Sequence, residues 1–236
     1  MEKIDLSIVI PAYNEEKRIE KTLDQIYKFL KNTTIKFEII VVDDGSTDLT
    51  ASVVKKVIEK IPLVKLISYN TNMGKGEAVK RGVMASSGQL ILFSDADLST
   101  PISELEKLLP FIQQGYDIVI GSRRTENSMI TKKQPLHRRI SGMIFLKLVK
   151  VVLKLPFSDT QCGFKMFKGE IAKDLFSTLI HRRFIFDVEI IYKAYMKGYR
   201  IKEVGVRWAN DPSSTVRFFS DSLECFVDLI KIRFGR

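Results

Sequence analysis

Residues 90–97 read Leu90-Ile91-Leu92-Phe93-Ser94-Asp95-Ala96-Asp97, a short apolar run that ends in two aspartates. Such a run is typical of a buried strand in an α/β sheet, and these sheets bind ligands at the carboxyl ends of their strands. Because two unpaired carboxylates at that edge are costly, Asp95 and Asp97 favour a divalent cation that carries phosphate groups. The alternative is a strand-to-loop turn in which both aspartates cap backbone amides.

The residues before this run alternate between strand and helix patterns. Apolar runs predict strands at 6–10, 37–42 and 64–68, and a helix is predicted after each one, the third over 75–85. This alternation predicts an α/β fold with a mostly parallel central sheet flanked by helices. Polar residues follow the first, second and fourth strands, so we expect them to share one site.

Two of these polar clusters suggest contacts with a nucleotide. Asp44 ends the second strand and is expected to accept from a ribose hydroxyl or a base, with Tyr13 or Glu15 against the base. A turn with a helix cap is the alternative. Gly74-Lys75-Gly76 lacks the spacing of a P-loop. It predicts a tight turn into a helix, with Lys75 near an anion.

Length and composition fit one globular domain. The 236 residues are 45% hydrophobic and 28% charged, which is ordinary for a chain that buries a core. The two cysteines, Cys162 and Cys225, make no disulfide framework, so we expect a reduced, cytosolic setting. We expect no transmembrane segment, because no apolar stretch is long enough to span a bilayer.

Positive charge is concentrated in one part of the chain. The formal net charge is +10, and between residues 123 and 154 Lys and Arg far outnumber the single acid, Glu126. Such a stretch suits nucleic acid, an anionic membrane surface or a phosphorylated substrate. Because the chain has no series of stacking aromatics and no known nucleic-acid module, we expect no nucleic-acid partner.

The segment 141–155 combines apolar residues with lysines at helical spacing. Lys147, Lys150 and Lys154 recur on one side, and the broad apolar face consists of Phe145, Leu146, Val149, Val152 and Leu153. This pattern is typical of a helix in the membrane interface, and an amphipathic helix packed on the sheet is the alternative. A second such helix is expected near the C-terminus, where core packing and membrane contact are both open. Its apolar residues are Phe218, Phe219, Leu223, Phe226, Val227, Leu229, Ile230 and Ile232.

Seven motifs in order along the chain resemble those of family 2 glycosyltransferases with the GT-A (nucleotide-diphospho-sugar transferase) fold. They are Ile-Pro-Ala-Tyr-Asn-Glu (10–15), Val-Val-Asp-Asp-Gly-Ser-Thr-Asp (41–48), Asn-Met-Gly-Lys-Gly (72–76), Asp-Ala-Asp-Leu-Ser (95–99), Gly-Ser-Arg (121–123), Asp-Thr-Gln-Cys-Gly-Phe-Lys (159–165) and Phe-Asp-Val-Glu (186–189). The last two are narrower and resemble the dolichyl-phosphate β-glucosyltransferases and, more distantly, the dolichyl-phosphate mannose synthases.

This resemblance implies roles for individual residues. The residues expected around the nucleotide sugar are Pro11, Ala12, Tyr13, Glu15, Val42, Asp44, Lys75, Asp95 and Ala96. Asp97 is the implied ligand of Mg²⁺ or Mn²⁺, with Ser99 as a weaker second ligand where the family often has Gln. The expected catalytic set is Asp95, Asp97, Arg123, Arg138 and Arg139. Its arginines fall where the family binds the lipid phosphate, and which of Arg138 and Arg139 faces the phosphate stays open. The residues expected at the acceptor or in the pocket are Ser141, Gln161, Asp187 and Glu189.

Two points stay open at this level. A helix puts Asp187 and Glu189 roughly 200° apart, so we expect one in the pocket and the other to complement the charge of the helix start. Near the C-terminus, Asp211-Pro212-Ser213-Ser214-Thr215 stands where the family carries Gly-x-Ser-Lys, and Arg207 or Arg217 is a candidate replacement for that Lys.

We expect a single domain, with 1–122 binding the nucleotide sugar and 123–236 forming the acceptor half with its interfacial helices.

The function implied is inverting, metal-dependent transfer of glucose from UDP-glucose to a polyprenyl, dolichyl-like phosphate, by a peripheral protein on the cytoplasmic side of a membrane. A phosphate acceptor is already anionic and needs cations more than a general base. The alternatives are GDP-mannose or another nucleotide sugar as donor, a soluble hydroxyl acceptor that needs Asp187 or Glu189 as base, and a catalytically silent protein that binds nucleotide sugars.

Overall fold

The computed structural model describes residues 4–211 and 220–234, without the side chains of 220–226. The strands are β1 (Leu6–Ala12), β2 (Phe37–Asp44), β3 (Val64–Tyr69), β4 (Leu90–Ser94), β5 (Ile118–Ser122), β6 (Met129–Lys132), β7 (Phe164–Lys168), β8 (Ile201–Gly205) and β9 (Arg207–Ala209). The helices are α1 (Ile19–Leu30), α2 (Thr50–Lys60), α3 (Lys75–Ala85), α4 (Leu105–Gln113), α5 (Leu136–Leu153), α6 (Gly169–Ser177), α7 (Phe186–Met196) and α8 (Ser220–Phe234), with a 3₁₀ turn at Ile102–Glu104.

The central sheet has seven strands in the order β3-β2-β1-β4-β7-β5-β8. All of its pairings are parallel except those of β7, which runs antiparallel to both β4 and β5. The predicted α/β fold with a mostly parallel sheet is therefore confirmed. A separate parallel pair, β6 with β9, lies outside this sheet.

Helices cover both faces of the sheet because its strands are apolar on both sides. One face packs the predicted stripe of α1 against β1 and β2, and its buried side chains include Ile19, Leu23, Ile26 and Leu30. The other face is covered by α3, α5, α6, α7 and α8, with Phe93 of β4 and Phe186 of α7 in edge contact at its centre. Both cores are closed, so the functional groups collect at the edge of the sheet.

One edge of the sheet gathers every segment that the motifs occupy. Strands β1, β2, β4, β5 and β8 all end there, and β7 begins there because it runs the opposite way. The loop 159–163 that leads into β7 therefore lies beside the Asp95–Asp97 turn after β4. This arrangement brings the early motifs and the Asp-Thr-Gln-Cys-Gly-Phe-Lys motif to a common place. The division into halves at residue 122 stays a prediction.

The face of α5 that was expected to contact a membrane is instead packed inward. Val149 and Leu153 are buried, and Phe145 and Val152 pack against the same core. The exposed apolar face of α5 consists of Leu136, Ile140, Met143, Ile144 and Val151, with Lys147 and Lys150 exposed among them. Both sides of α5 are thus apolar, and the side expected to contact a membrane is the one that packs in the core.

The C-terminal helix α8 is also apolar on two sides where its side chains are described. Leu229 and Ile232 are buried, whereas Val227 and Ile230 are exposed. Phe218, Phe219, Leu223 and Phe226, which the sequence placed on this helix, lie outside the described residues or side chains. Within residues 4–211 and 220–234, no helix is both long and apolar enough to cross a bilayer.

Candidate functional site

A cavity of about 580 Å³ opens at the carboxyl edge of the sheet. Its wall combines charged and apolar side chains. The charged residues include Lys75, Asp95, Asp97, Arg123, Arg124, Arg138, Arg139 and Asp187, and the apolar residues include Ile130, Met143, Ile144, Phe145, Leu146, Leu148, Phe184 and Trp208. One cavity can therefore hold an anionic group and a hydrocarbon chain together.

Asp95 stands directly after β4 and is held from two sides. Its carboxylate lies 2.6 Å from Nζ of Lys75 at the start of α3. Its backbone N–H donates to the carbonyl of Gly163 at 3.1 Å. A Cβ atom on Gly163 would come within 1.9 Å of the Asp95 carboxylate, so only glycine allows this close approach. Asp95 is thus a fixed and partly neutralised acid.

Asp97 is fixed by the turn that follows. One carboxylate oxygen accepts from the backbone N–H of Ser99 at 2.8 Å. Burial and the negative charge of Asp95 raise the pKa of Asp97, against the opposing effects of the hydrogen bonds from Ser99 and of the charge of Lys75. No group of three His, Cys, Asp or Glu side chains is clustered for a metal among the described residues. A divalent cation on Asp97 would therefore take its other ligands from a bound diphosphate and water, a donor set of oxygens that suits Mg²⁺ or Mn²⁺.

Arg123, expected to face the lipid phosphate, is committed to an internal ion pair. Its Nε and Nη2 donate to the two oxygens of buried Asp159 at 2.6 and 2.8 Å, and its backbone N–H donates to the same carboxylate at 3.1 Å. Burial alone would raise the pKa of Asp159, but Arg123 outweighs it and the pKa is lowered. The guanidinium also lies 5.6 Å from the ring of Trp208. Arg123 lines the cavity, but its charge is already matched.

A second buried ion pair joins Lys165 and Asp187. Nζ of Lys165 contacts Oδ1 of Asp187 at 2.5 Å and donates to the carbonyl of Cys162. The lysines Lys75 and Lys165 lie 5.3 and 5.6 Å from the ring of Phe93. Burial raises the pKa of Asp187 although both lysines oppose it. Asp187 therefore reaches the cavity, as expected, with a lysine partner that the sequence analysis did not assign.

Glu189 points away from the cavity. Its carboxylate accepts from the backbone N–H groups of Ile180 and His181 at 3.0 and 2.8 Å, and contacts Nδ1 of His181 and Nζ of Lys193 at 2.7 and 2.5 Å. These contacts outweigh the effect of burial and lower its pKa to about 2. Glu189 fixes the connection between α6 and α7, and the expectation that it lies in the pocket is not met.

Most residues of the early motifs shape turns or pack in the core and do not line the cavity. Asp44 accepts from the hydroxyl of Tyr69 at 2.8 Å and from the backbone N–H groups of Met73 and Gly74 at 2.8 and 2.9 Å, so it shapes the turn before Lys75. The side chains of four residues expected around the nucleotide are buried and do not line the cavity: Pro11, Ala12, Val42 and Ala96. Val42 packs against Ala78 instead.

Tyr13 and Glu15 stay near the surface of the same edge. Tyr13 is 38% exposed, so its ring is available to a ligand. Glu15 pairs with Arg18, whose Nη1 also contacts Asp211 of the cavity wall at 2.8 Å. Burial raises the pKa of Glu15, and Asp97 adds to the rise. The first loop is therefore electrostatically connected to the aspartate turn.

The remaining expected residues lie in the cavity wall. Ser99, Arg138, Arg139, Ser141 and Gln161 all line it. The hydroxyl of Ser141 donates to the carbonyl of His137 at 2.8 Å, one turn earlier in α5. The sequence analysis missed Arg124, Lys165, Phe184 and Trp208. Arg124 and Lys165 stand next to quoted motif residues, and Trp208 is the sole tryptophan, but no pattern marked Phe184.

Comparisons with known proteins identify the family of this chain. The family model of glycosyl transferase family 2 matches residues 7–176. The dolichyl-phosphate beta-glucosyltransferase of Dictyostelium discoideum is 38% identical over 99% of this chain and 75% of its own length. The human protein of the same name is 35% identical over 97% of this chain and 74% of its own length.

Solved structures show the fold. Glucosyl-3-phosphoglycerate synthase from Mycobacterium tuberculosis, crystallised with Mn²⁺, UDP-glucose and phosphoglyceric acid, superimposes with a TM-score of 0.69 at 18% identity, covering 98% of this chain and 80% of that one. The same enzyme with UDP gives 0.70 at 19% identity, over 98% and 80%. The expected GT-A fold is confirmed. The chain belongs to glycosyl transferase family 2 and is a glycosyltransferase similar over nearly its whole length to the dolichyl-phosphate beta-glucosyltransferases.

Proposed function

We propose that this enzyme transfers glucose from UDP-glucose to the phosphate of a polyprenyl, dolichyl-like lipid, with inversion at the anomeric carbon. One observation carries the proposal: the cavity that holds Asp95 and Asp97 also contains guanidinium groups and the apolar side chains of α5. A lipid phosphate presents the same combination of an anionic head and a hydrocarbon tail. The curated relatives named for this acceptor cover nearly the whole chain.

The donor belongs at the aspartate turn. Asp97 is the residue that would hold Mg²⁺ or Mn²⁺, with Ser99 at the edge of the same turn. The cation would supply Lewis-acid stabilisation of the departing diphosphate. Lys75, raised in pKa by Asp95 and Asp187 against the effect of burial, stays protonated beside this position and orients Asp95. The donor's sugar then lies between the aspartates and the arginines.

The acceptor phosphate needs little activation. A phosphate monoester has its second pKa near about 6, so its oxygen is anionic at neutral pH and can attack without a general base. Asp187, which is paired with Lys165, then does not need to act as a general base. Guanidinium groups in the cavity wall offset the repulsion between this phosphate and the donor diphosphate. A single displacement of this kind inverts the anomeric centre.

The substrates can be tested directly. We expect the purified protein with Mg²⁺ or Mn²⁺ to transfer label from UDP-glucose to a short polyprenyl phosphate in detergent, and EDTA to stop it. The matched control is the free polyprenol, which keeps the chain and replaces the phosphate by a hydroxyl. NMR of the product should show a β-linkage. Preference for GDP-mannose, or transfer only to a water-soluble acceptor such as phosphoglyceric acid, would refute the proposed substrates.

We also propose peripheral contact with the cytoplasmic side of a membrane through the exposed apolar face of α5. Lys147 and Lys150 stand among its apolar residues, a pattern suited to anionic headgroups. Replacement of Ile140, which is 45% exposed and does not line the cavity, by Asp should weaken binding to vesicles with anionic phospholipid by about tenfold or more. The measurement is sedimentation with vesicles.

The control for this experiment is Leu49→Asp. Leu49 is 64% exposed and precedes α2, which packs on the opposite face of the sheet. Leu49→Asp adds the same negative charge as Ile140→Asp and also removes an exposed aliphatic side chain. If both variants sediment with vesicles as well as the unmodified protein does, α5 does not mediate membrane contact.

A further inference from the structure

The α6–α7 connection, residues 178–185, packs directly against the start of α3. Its backbone carbonyl at Arg182 accepts from the N–H of Glu77 at 3.1 Å. A Cβ atom would come within 2.6 Å of that carbonyl oxygen at Gly74 and within 2.9 Å of it at Gly76. The absence of side chains at both positions therefore lets the two backbones lie in contact.

This contact completes the first turn of α3. The first N–H groups of a helix have no partner within it, and Gly74, which precedes α3, has no side chain to supply one. The carbonyl of Arg182 takes that place for Glu77. Lys75 is the first residue of α3, and its Nζ lies 2.6 Å from the Asp95 carboxylate. The connection therefore supports the turn that holds Lys75 beside Asp95.

Glu189 of α7 holds the connection in this position. It is buried, and its carboxylate accepts from the backbone N–H groups of Ile180 and His181, the two residues before Arg182. Lys193, one turn later in α7, contacts the same carboxylate at 2.5 Å. The two oxygens of one buried acid thus fix the backbone that contacts α3.

We propose that Glu189 is a positioning residue for the transfer reaction and acts on Lys75 through the α6–α7 connection. Lys75 lines the cavity and Glu189 does not, so Glu189 would act through the backbone and not by contact with a substrate. The same connection carries Phe184, which also lines the cavity. This role rests on the proposed function only in its assay, which follows glucose transfer from UDP-glucose to a polyprenyl phosphate.

Glu189→Gln tests this role. Glu189 uses a different oxygen for each backbone N–H, and glutamine replaces one of these oxygens by a donor. We expect kcat to fall about tenfold, since a small displacement of a positioned group is costly in rate. We also expect the amide of Glu77 to exchange with solvent at least about tenfold faster, because its acceptor carbonyl is no longer held in place. Steady-state kinetics and hydrogen exchange followed by NMR measure the two effects.

Glu38→Gln is the matched control. Glu38 is also buried, and it accepts from the backbone N–H of Ser87 at 2.7 Å and from Nζ of Lys65 at 2.6 Å. It lies near the start of β2, at the edge of the sheet opposite the cavity. Both variants should lower the Tm. Glu38→Gln should nevertheless keep kcat and the exchange rate of the Glu77 amide within about twofold, because distant sites act independently.

A double variant distinguishes positioning from a general loss of stability. Lys75→Gln removes the group through which Glu189 is proposed to act. In that background, Glu189→Gln should lower kcat by less than about threefold, whereas the effects of two independent sites multiply.

Gly76→Ala tests the same contact without changing Glu189. The added Cβ atom would come within 2.7 Å of Cβ of Phe186, the residue that follows the connection, so the connection must move away from α3. We expect the same fall in kcat and the same faster exchange of the Glu77 amide. This variant keeps the proposal testable if Glu189→Gln does not fold.

The outcomes separate this proposal from the proposed function. If the unmodified protein transfers no glucose to polyprenyl phosphate, the proposed substrates are wrong. The exchange rate of the Glu77 amide then decides the role of Glu189: faster exchange in Glu189→Gln supports it and unchanged exchange overturns it. If the unmodified protein is active and Glu189→Gln matches Glu38→Gln in kcat and in exchange, only the positioning role is overturned. Equal losses of kcat with and without Lys75→Gln would also overturn it, because Glu189 would then act by another route.

Discussion

Replacing Asp97 with asparagine should lower the rate of sugar transfer by about 10³-fold while the protein stays folded. Asp97 is oriented by the backbone N–H of Ser99 and is the acid best placed to hold a divalent cation. An amide is a weak ligand for Mg²⁺ or Mn²⁺, which prefer charged oxygen. Stabilisation of a leaving diphosphate by a metal amounts to several kcal/mol, and about 4 kcal/mol corresponds to three factors of ten.

Although Asp97→Asn should be much less active, it should be at least as stable as the unmodified protein. Asp95 and Asp97 repel each other across the turn after β4, and burial adds to the cost of the second charge. A neutral side chain at position 97 relieves that repulsion, so the Tm should stay level or rise. This combination is typical of a site strained for function.

Asp24→Asn is the matched control for Asp97→Asn. Asp24 lies on α1, is partly exposed and pairs with Lys28, and it does not line the cavity. The measurements are turnover with saturating UDP-glucose and polyprenyl phosphate, Tm by circular dichroism, and Mn²⁺ binding by calorimetry in the presence of UDP. Turnover within about tenfold of the unmodified protein would rule out Asp97 as the metal ligand. Weaker nucleotide binding together with lost turnover argues against a catalytically silent protein.

The first half of the fold could be predicted from the sequence because its signals are local. The stripe of Ile19, Leu23, Ile26 and Leu30 is buried as a set in α1, and α3 spans the predicted 75–85. The strand at 90–93 extends by one residue to Ser94. Parallel strands buried on both faces give continuous apolar runs, and these are hard to mistake when helices alternate with them.

The second half could not be predicted in the same way because its decisive contacts join distant residues. Arg123 and Asp159 are 36 positions apart, and nothing local distinguishes an arginine that binds ligand from one that pairs with a buried acid. The buried and exposed sides of α5 are both apolar. The spacing of the apolar residues therefore predicts a helix, but it does not predict which side of that helix packs against the core. Arg123 and Arg124 are neighbours in the sequence, and only the ion pair of Arg123 with Asp159 distinguishes them.

Replacing Asp159 with asparagine should destabilise the protein by about 3 kcal/mol, because removing one member of a buried pair leaves the other charge uncompensated. Asp159 is fully buried and accepts three hydrogen bonds from Arg123 and one from the backbone N–H of Gln161. At 236 residues each kcal/mol shifts the Tm by roughly 2–4 °C, so we expect a fall of roughly 6–12 °C. Thermal unfolding followed by circular dichroism measures it.

The pH dependence gives a second signature of this pair. The folded pKa of Asp159 is lowered from 3.8, so its contribution to stability is fully present above that value and is lost as the pH falls through the folded pKa. The difference in unfolding free energy between the unmodified protein and Asp159→Asn should therefore be constant near neutral pH and shrink in acid. Asp174→Asn is the control, since the exposed pair of Asp174 with Lys197 should contribute little at any pH.

The double variant Arg123→Met with Asp159→Leu isolates the cost of the unpaired charge. It should be less destabilised than the sum of its single variants, because neither charge is left alone. The pair also connects the end of β5 to the loop that carries Gly163, and Gly163 contacts the Asp95 carboxylate. If Asp159→Asn changed the Tm by less than about 2 °C, the position of that loop would not depend on the pair. Arg123 would then be available to a ligand.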